Sequence, residues 1–262
     1  MNKFFVFTLI GFLKITSATY AQTVTLDYYF NHETHKTKMG TERFHYLWDD
    51  KQSSGFSIWG DIFKKNGLTL DTLDKAPTLA NLRKSDIYII VDPDTKKETA
   101  NPNYIEPKDV EQISAWVKAG GVLVLMANDS ANVELPHFNT LVVKFGLHFN
   151  NDLPNHVLDD NHFKDGDAIY VNNDIFKSNP KIFLKDACSI SLNNPAAKAV
   201  FKSADGSVVI AATVKYGKGI VFAVGDPWLY NEYVNGRLPS SYQNDIAANE
   251  LTIWLKKQAS KK

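Results

Sequence analysis

Gly120-Gly121-Val122-Leu123-Val124-Leu125-Met126-Ala127-Asn128-Asp129-Ser130-Ala131-Asn132 is the stretch that decides the fold. A glycine pair feeds an unbroken apolar run, which stops in small polar residues. A short continuous run of this kind, bounded by turn signals, predicts a strand buried on both faces, as in the middle of a parallel sheet. In open α/β sheets the working groups collect beyond the carboxyl ends of such strands. Asn128, Asp129 and Asn132 are therefore expected at the mouth of a site.

Working outward, residues 24–30 alternate and are rich in β-formers, which predicts a first strand. A helix is expected over 53–65, with Phe56, Trp59, Ile62 and Phe63 on one face. A short strand at 68–70 and a clear one at 86–91 follow, the latter ending in Asp92-Pro93-Asp94. Glu106-Pro107 starts a helix that Gly120 closes. After the opening strand, residues 137–145 read as another helix. This alternation predicts a parallel sheet with helices on both faces.

From 150 to 180 the pattern breaks into an acidic, loop-rich insertion. Segments of β type then appear at 181–192, 199–202 and 208–215, with Asp205-Gly206 as a hairpin signal between the last two. A final buried strand at 219–225 ends in Asp226-Pro227-Trp228-Leu229-Tyr230-Asn231, and a helix over 242–256 closes the chain. The expected fold is a three-layer α/β sandwich around a mostly parallel, flavodoxin-like sheet, with a β-rich loop insertion in its second half.

The 262 residues are 44% hydrophobic and carry 29 basic and 29 acidic side chains, an ordinary globular balance. A formal charge of zero argues against binding nucleic acid by neutralising phosphates. Lys3, the apolar run 4–13 and the small residues ending at Ala21 have the layout of an export signal. Residues 1–21 are thus expected to be a signal peptide and 22–262 one α/β domain, exported to the periplasm or beyond it. The lone Cys188 can form no internal disulfide and is expected to be buried.

Several chemistries are missing. No Gly-x-Ser-x-Gly elbow, Gly-x-Gly-x-x-Gly turn or phosphate-binding lysine loop occurs. His32-Glu33-Thr34-His35 lacks the four-residue spacing of helical zinc hydrolases, and Asp165-Gly166-Asp167 is not a calcium loop. No metal and no cofactor are expected. What remains is a convergence of polar and aromatic residues at strand ends: Asn31 and Glu33, Asp92 and Asp94, Asn128 and Asp129, then Asp226, Trp228 and Tyr230. Rings beside amides and carboxylates suit a sugar site, with Trp48 and Trp228 as stacking candidates or, alternatively, core residues.

Four segments carry a resemblance. They are Asp27-Tyr28-Tyr29-Phe30-Asn31-His32-Glu33, the run from Arg43 to Asp50, Met126-Ala127-Asn128-Asp129-Ser130 with His137-Phe138-Asn139, and the run from Gly225 to Tyr233. Together they resemble the amidotransferase-like domain that Bacteroidetes carry alone or fused to unsaturated glycuronyl hydrolases of the rhamnogalacturonyl type. A free-standing version is similar to the oligosaccharide dehydratases of ulvan breakdown. Class I glutamine amidotransferases place a cysteine after the central strand, where this chain has Asn128-Asp129, so that chemistry is excluded.

The resemblance implies a carbon–oxygen lyase that removes water from a terminal uronic acid, leaving a 4,5-unsaturated sugar for a partnering glycuronyl hydrolase. It does not assign residues; the roles follow from what the reaction demands. A base takes the C5 proton, an acid helps the C4 hydroxyl leave, and a cation steadies the carboxylate. His45, His137 and Tyr230 are the candidate proton carriers, and Arg43 or Arg237 the carboxylate partner. Asn31, Glu33, Trp48, Asn128, Asp129, Asp226 and Trp228 are the other candidate sugar contacts. The rival expectations are a non-catalytic carbohydrate-binding module and a glycoside hydrolase using Glu33 with Asp129 or Asp226.

Overall fold

A computed structural model describes residues 21–260 apart from Ser53, Asn173, Glu232, Tyr233 and Asn235. The expected export signal therefore lies outside the described residues except for Ala21. In chain order the first half contains β1 (Thr23–Asp27), β2 (Thr34–Thr37), β3 (Gly40–Arg43), α1 (Ser57–Lys65), β4 (Thr69–Leu73), β5 (Ile87–Val91), α2 (Pro107–Lys118), β6 (Val122–Met126) and α3 (Leu135–Val142). The second half contains β7 (Leu147–Phe149), β8 (Ile169–Tyr170), β9 (Ile190–Leu192), β10 (Lys198–Lys202), β11 (Val209–Tyr216), β12 (Gly219–Val224) and α4 (Asn244–Ala259).

The main sheet has eight strands in the order β4-β1-β5-β6-β12-β11-β10-β8. The first five run parallel, and β11, β10 and β8 extend the sheet antiparallel. The opening stretch is β6, hydrogen-bonded between β5 and β12 with all five residues buried. Among the parallel strands the chain steps from β1 outward to β4, then returns past β1 to β5. That order is one of the two common doubly wound arrangements, and its switch point lies between β1 and β5.

Each face of the sheet packs on a helical layer. Trp59 and Phe63 of α1, with Ala248, Leu251 and Leu255 of α4, cover Val24, Ile87, Val122 and Phe222 on one side. Ile113 and Val117 of α2, with Phe138 and Leu141 of α3, cover Tyr88, Leu123 and Val221 on the other. Consecutive residues of a strand thus feed opposite cores, which is why these strands read as solid apolar runs. Cys188 is buried, as expected, and its thiol is pushed up by burial, so it holds its proton.

Three local expectations fail. Residues 34–43, read as a polar cluster and an aromatic run, contain the hairpin β2–β3. Of 181–192, expected to be β-type throughout, only Ile190–Leu192 forms a strand, beside a single bridge at Phe183. The helix expected from His137 starts two residues earlier at Leu135, with Glu134 capping it through the His137 amide.

Candidate functional site

Everything at the carboxyl end of β1 hangs on Asp27. Its Oδ2 accepts the amides of Phe30 (2.8 Å), Tyr29 (3.2 Å) and Asn31 (3.4 Å), while Oδ1 accepts the Tyr88 hydroxyl at 2.5 Å. These bonds fold the chain over the strand end and aim Asn31 at the neighbouring β5 loop, where its amide donates to the Asp92 carbonyl at 2.8 Å. Burial lifts the Asp27 carboxyl to about 7 despite those donors.

Asp92 is the centre of the cluster. It follows β5 directly, is 5% exposed, and holds a left-handed φ of 44° that costs a residue other than glycine steric energy. Its Oδ2 accepts the Tyr46 hydroxyl at 3.0 Å and the Asn128 amide at 3.3 Å. Its Oδ1 is buried with no hydrogen-bond partner among the described residues. Burial, reinforced by the nearby Glu98, pushes the carboxyl well above its ordinary range, which favours its protonated form. With two donors on Oδ2, that proton belongs on Oδ1, leaving an O–H free to donate.

The same strained backbone appears at His45 (φ 60°) and Tyr46 (φ 46°). Three of the five such residues among the described ones thus pack against one another, the other two being Asn179 and Asp186, and a cluster of this kind is found at functional sites. His45 Nδ1 lies 2.6 Å from Glu33 Oε1. With the Glu33 oxygen as acceptor Nδ1 carries the hydrogen, and in that tautomer of the neutral ring the lone pair is on Nε2. Glu33 is itself placed by the β1 turn: its carbonyl accepts the Tyr28 hydroxyl and the Phe44 amide, which ties the loop before His45 to that turn.

Asp94 and Asp226 complete the carboxyl group. Asp94 Oδ2 accepts the His32 amide at 3.1 Å and the Thr99 hydroxyl at 2.5 Å, and Asp226 Oδ1 accepts the Trp228 amide at 2.8 Å. Their other oxygens, with Asn31 Oδ1, are also buried without a hydrogen-bond partner among the described residues. Burial raises Asp94, Asp226 and the adjacent Glu98. Four buried oxygens without a partner at one sheet end are costly in a folded chain unless a ligand supplies the missing hydrogen bonds.

Two more groups border this cluster. The Trp228 side chain hydrogen-bonds Tyr46, and Lys185 Nζ sits 5.1 Å from the centre of the Trp228 ring. Lys185 and Arg237 both line an adjoining cleft of about 440 Å³, where Arg237 pairs with Asp160 at 3.2 Å. On the β6 side, Glu134 pairs with His137 at 2.9 Å, and the His137 ring stacks on Tyr104 at 4.5 Å. The Glu134 amide donates to the carbonyl of Pro93, between the two aspartates of the β5 loop. In sheet order, the β5 carboxyls thus lie between a His–Glu pair on the β1 side and another on the β6 side.

The structure brings Asn31, Glu33, His45, Asn128, Asp226 and Trp228 together, with His137 and Arg237 at the borders. Asp129 stays beside Asn128, where its carboxylate caps the loop through the Ala131 amide and the Asn132 side chain. Arg43 lies over the Tyr28 ring at 4.5 Å and reaches Asp74 at 3.4 Å. Trp48 packs against Phe56, Trp59 and Phe63 and donates to the Asp71 carbonyl, as a packing residue does. Tyr230 is fully buried against Trp59, outside the cluster. Tyr46, Glu98 and Lys185 were missed. Only Tyr46 gave a signal, its place in the aromatic run beside His45.

Neither the family models nor the curated proteins include a match to this chain. Solved structures do match. The N-terminal domain of mmIFT52 is 16% identical with a TM-score of 0.65, over 90% of this chain and 97% of that one. The cytoplasmic protein STM1381 from Salmonella typhimurium LT2 is 12% identical with a TM-score of 0.56, over 90% and 98%. A β-galactosidase from Rahnella sp. R3 aligns over 91% of this chain but only 31% of its own length, at 13% identity and a TM-score of 0.52. At such identities the likeness defines the fold: a mixed α/β sandwich around a large, mostly parallel sheet.

Proposed function

We propose that the protein is an oligosaccharide dehydratase, a carbon–oxygen lyase acting on a terminal uronic acid. The observation that supports this reading is a buried, proton-holding Asp92 beside the His45–Glu33 pair. In the proposed reaction His45 Nε2 removes the proton at C5. The electrons left at C5 form the C4=C5 double bond as the C4–O bond breaks. Asp92 Oδ1–H protonates the departing hydroxyl, which leaves as water. C5 is acidified by the adjacent carboxylate, whose growing charge Lys185 and Arg237 are placed to offset from the adjoining cleft. The unpartnered oxygens of Asn31, Asp94 and Asp226 would accept the sugar's hydroxyls.

The amidotransferase-like resemblance and the orphaned strand-end carboxyls favour the same reading over simple binding, because binding alone does not need a strained, protonated carboxyl. Export to the periplasm and a partnering glycuronyl hydrolase belong to this proposal. The test is to incubate the purified protein with oligosaccharides ending in glucuronate or iduronate on sulfated rhamnose. Loss of one water, with ultraviolet absorbance from the conjugated alkene, supports the lyase. Binding with unchanged product mass would replace it with a carbohydrate-binding module, and a shortened oligosaccharide would replace it with hydrolysis.

A further inference from the structure

A second concavity of about 610 Å³ lies elsewhere, against the antiparallel part of the sheet. On this face α4 lies over β5, β6 and β12, while Ile175 and Phe176 of the connection after β8 pack on the outer strands. Trp254 of α4 forms one wall, packing against Phe222 with ring centres 6.5 Å apart. The floor is a cross-strand row: Lys198 of β10 opposite Thr213 of β11, and Lys215 of β11 opposite Ile220 of β12. Thr213 and Lys215 are two residues apart on one strand, so both point to the same face. Lys257 stands three residues beyond Trp254 on α4, on the same side of the helix, and Lys177 closes the opposite rim.

Four ammonium groups thus line a hollow together with Ile175, Val200, Ile220 and Trp254; Asp174 is the one acidic side chain among its described lining residues, and Glu250, one turn before Trp254 on α4, accepts the Ser178 amide beside Lys177. None of the four makes an ion pair among the described residues, although the whole chain is formally neutral. Unpaired like charges around one hollow repel each other, and an anion placed among them removes that cost. The volume lies in the usual range for ligand sites. A partly buried indole beside Ile175, Val200 and Ile220 suits the apolar face of a pyranose ring, and ammoniums from β10, β11, α4 and the loop at Lys177 suit charges spread over successive rings rather than one headgroup.

We propose that this groove is a second, non-catalytic binding site for an acidic oligosaccharide bearing carboxylates or sulfates along its length. It stands on the groove's own chemistry and does not depend on the dehydratase reading. Ile220 lies at the start of β12 and Asp226 just past its end, so the groove and the candidate site lie toward opposite ends of that strand. A long acidic chain held here would keep its end close to the strand-end cluster by raising its local concentration.

Calorimetric titration of the purified protein with a galacturonate hexamer, a heparin-derived hexasaccharide and neutral maltohexaose tests this. The carboxylated and sulfated arms show which anion the lysines prefer. Binding of at least one acidic hexamer, weakened by added salt, is expected, with maltohexaose silent. K198Q/K257Q, which removes two exposed charges, should weaken that binding at least about tenfold and flatten its dependence on log salt by roughly two. K185Q, which alters the other site, should leave it within about twofold. Equal binding of maltohexaose, wild-type affinity in K198Q/K257Q, or tighter binding of a single-stranded DNA hexamer would each overturn the proposal. Absence of water loss in the dehydration assay would leave these titrations unaffected.

Discussion

Asp27→Asn should stabilise the protein, and by an amount that depends on pH. In the folded chain the Asp27 carboxyl is raised from an ordinary value near 3.8 to about 7, because burial outweighs its four donors. Below 3.8 both folded and unfolded chains hold the proton. Between 3.8 and about 7 the unfolded chain releases it while the folded chain keeps it, so stability falls as pH rises. Above about 7 the loss is complete. That interval, at about 1.4 kcal/mol per pH unit, amounts to about 4 kcal/mol. Asparagine has the same shape, can keep its oxygen on the three amides and can donate its NH₂ to the Tyr88 hydroxyl, so it retains the turn without titrating. Urea unfolding followed by tryptophan fluorescence at pH 4 and pH 8 measures the effect. The gain of the variant over the wild type should widen by several kcal/mol between the two. A gap independent of pH would show that Asp27 ionises in the folded chain as it does in water, and the account of its burial would fail.

Three other outcomes follow from the same geometry. Asp92→Asn keeps a residue that tolerates the 44° φ but removes the acid, so turnover should fall about 100-fold or more and the loss of rate at rising pH, as Asp92 gives up its proton, should vanish from the pH profile. Glu33→Gln should lower kcat with little change in KM, since it removes the acceptor that fixes the His45 ring, whereas His45→Ala should abolish water loss; unchanged turnover in His45→Ala would remove that residue from the mechanism. Gly225→Ala would drive a Cβ into the Cys188 carbonyl, whose residue is tied to this position by the Cys188 amide donating to the Gly225 carbonyl at 3.0 Å, and thermal unfolding should show a loss of about 3 kcal/mol.

The strands of the centre were legible because burial on both faces leaves little freedom of composition: Ile87–Val91, Val122–Met126 and Gly219–Val224 carry almost no polar side chain. The hairpin β2–β3 was not legible. Its eight residues are almost all exposed, so no alternating apolar face marks it. Residues 181–192 misled in the other direction, because Phe183 and Leu184 are buried by loop contacts and not by strand pairing; Asn244 on α4 takes the hydrogen bonds of Phe183. At the site, Asn31, Asn128 and Asp226 could be placed by counting from strand ends. Lys185 could not, since its position over Trp228 is set by a long irregular connection. Trp48 and Tyr230 show the limit of composition: an aromatic ring reads the same whether it faces a sugar or a core.

The carboxyl-rich cluster poses a difficulty for the proposed anionic substrate, one that its burial reduces. Were Glu33, Asp92, Asp94, Glu98 and Asp226 all ionised, a uronate approaching them would meet about 4 kcal/mol of repulsion from each charge at 4 Å in a partly screened site. Instead, burial raises Asp92, Asp94, Glu98 and Asp226, and their mutual repulsion adds to it, so each of these carboxyls takes up charge less readily than it would in water. Among these carboxyls only Asp92 also has a left-handed backbone and a free oxygen backed by two donors on the other. On the proposed dehydratase reading one cause, the burial of the end of β5, both lowers the charge that an acidic sugar would meet and favours the protonated acid that its departing hydroxyl needs.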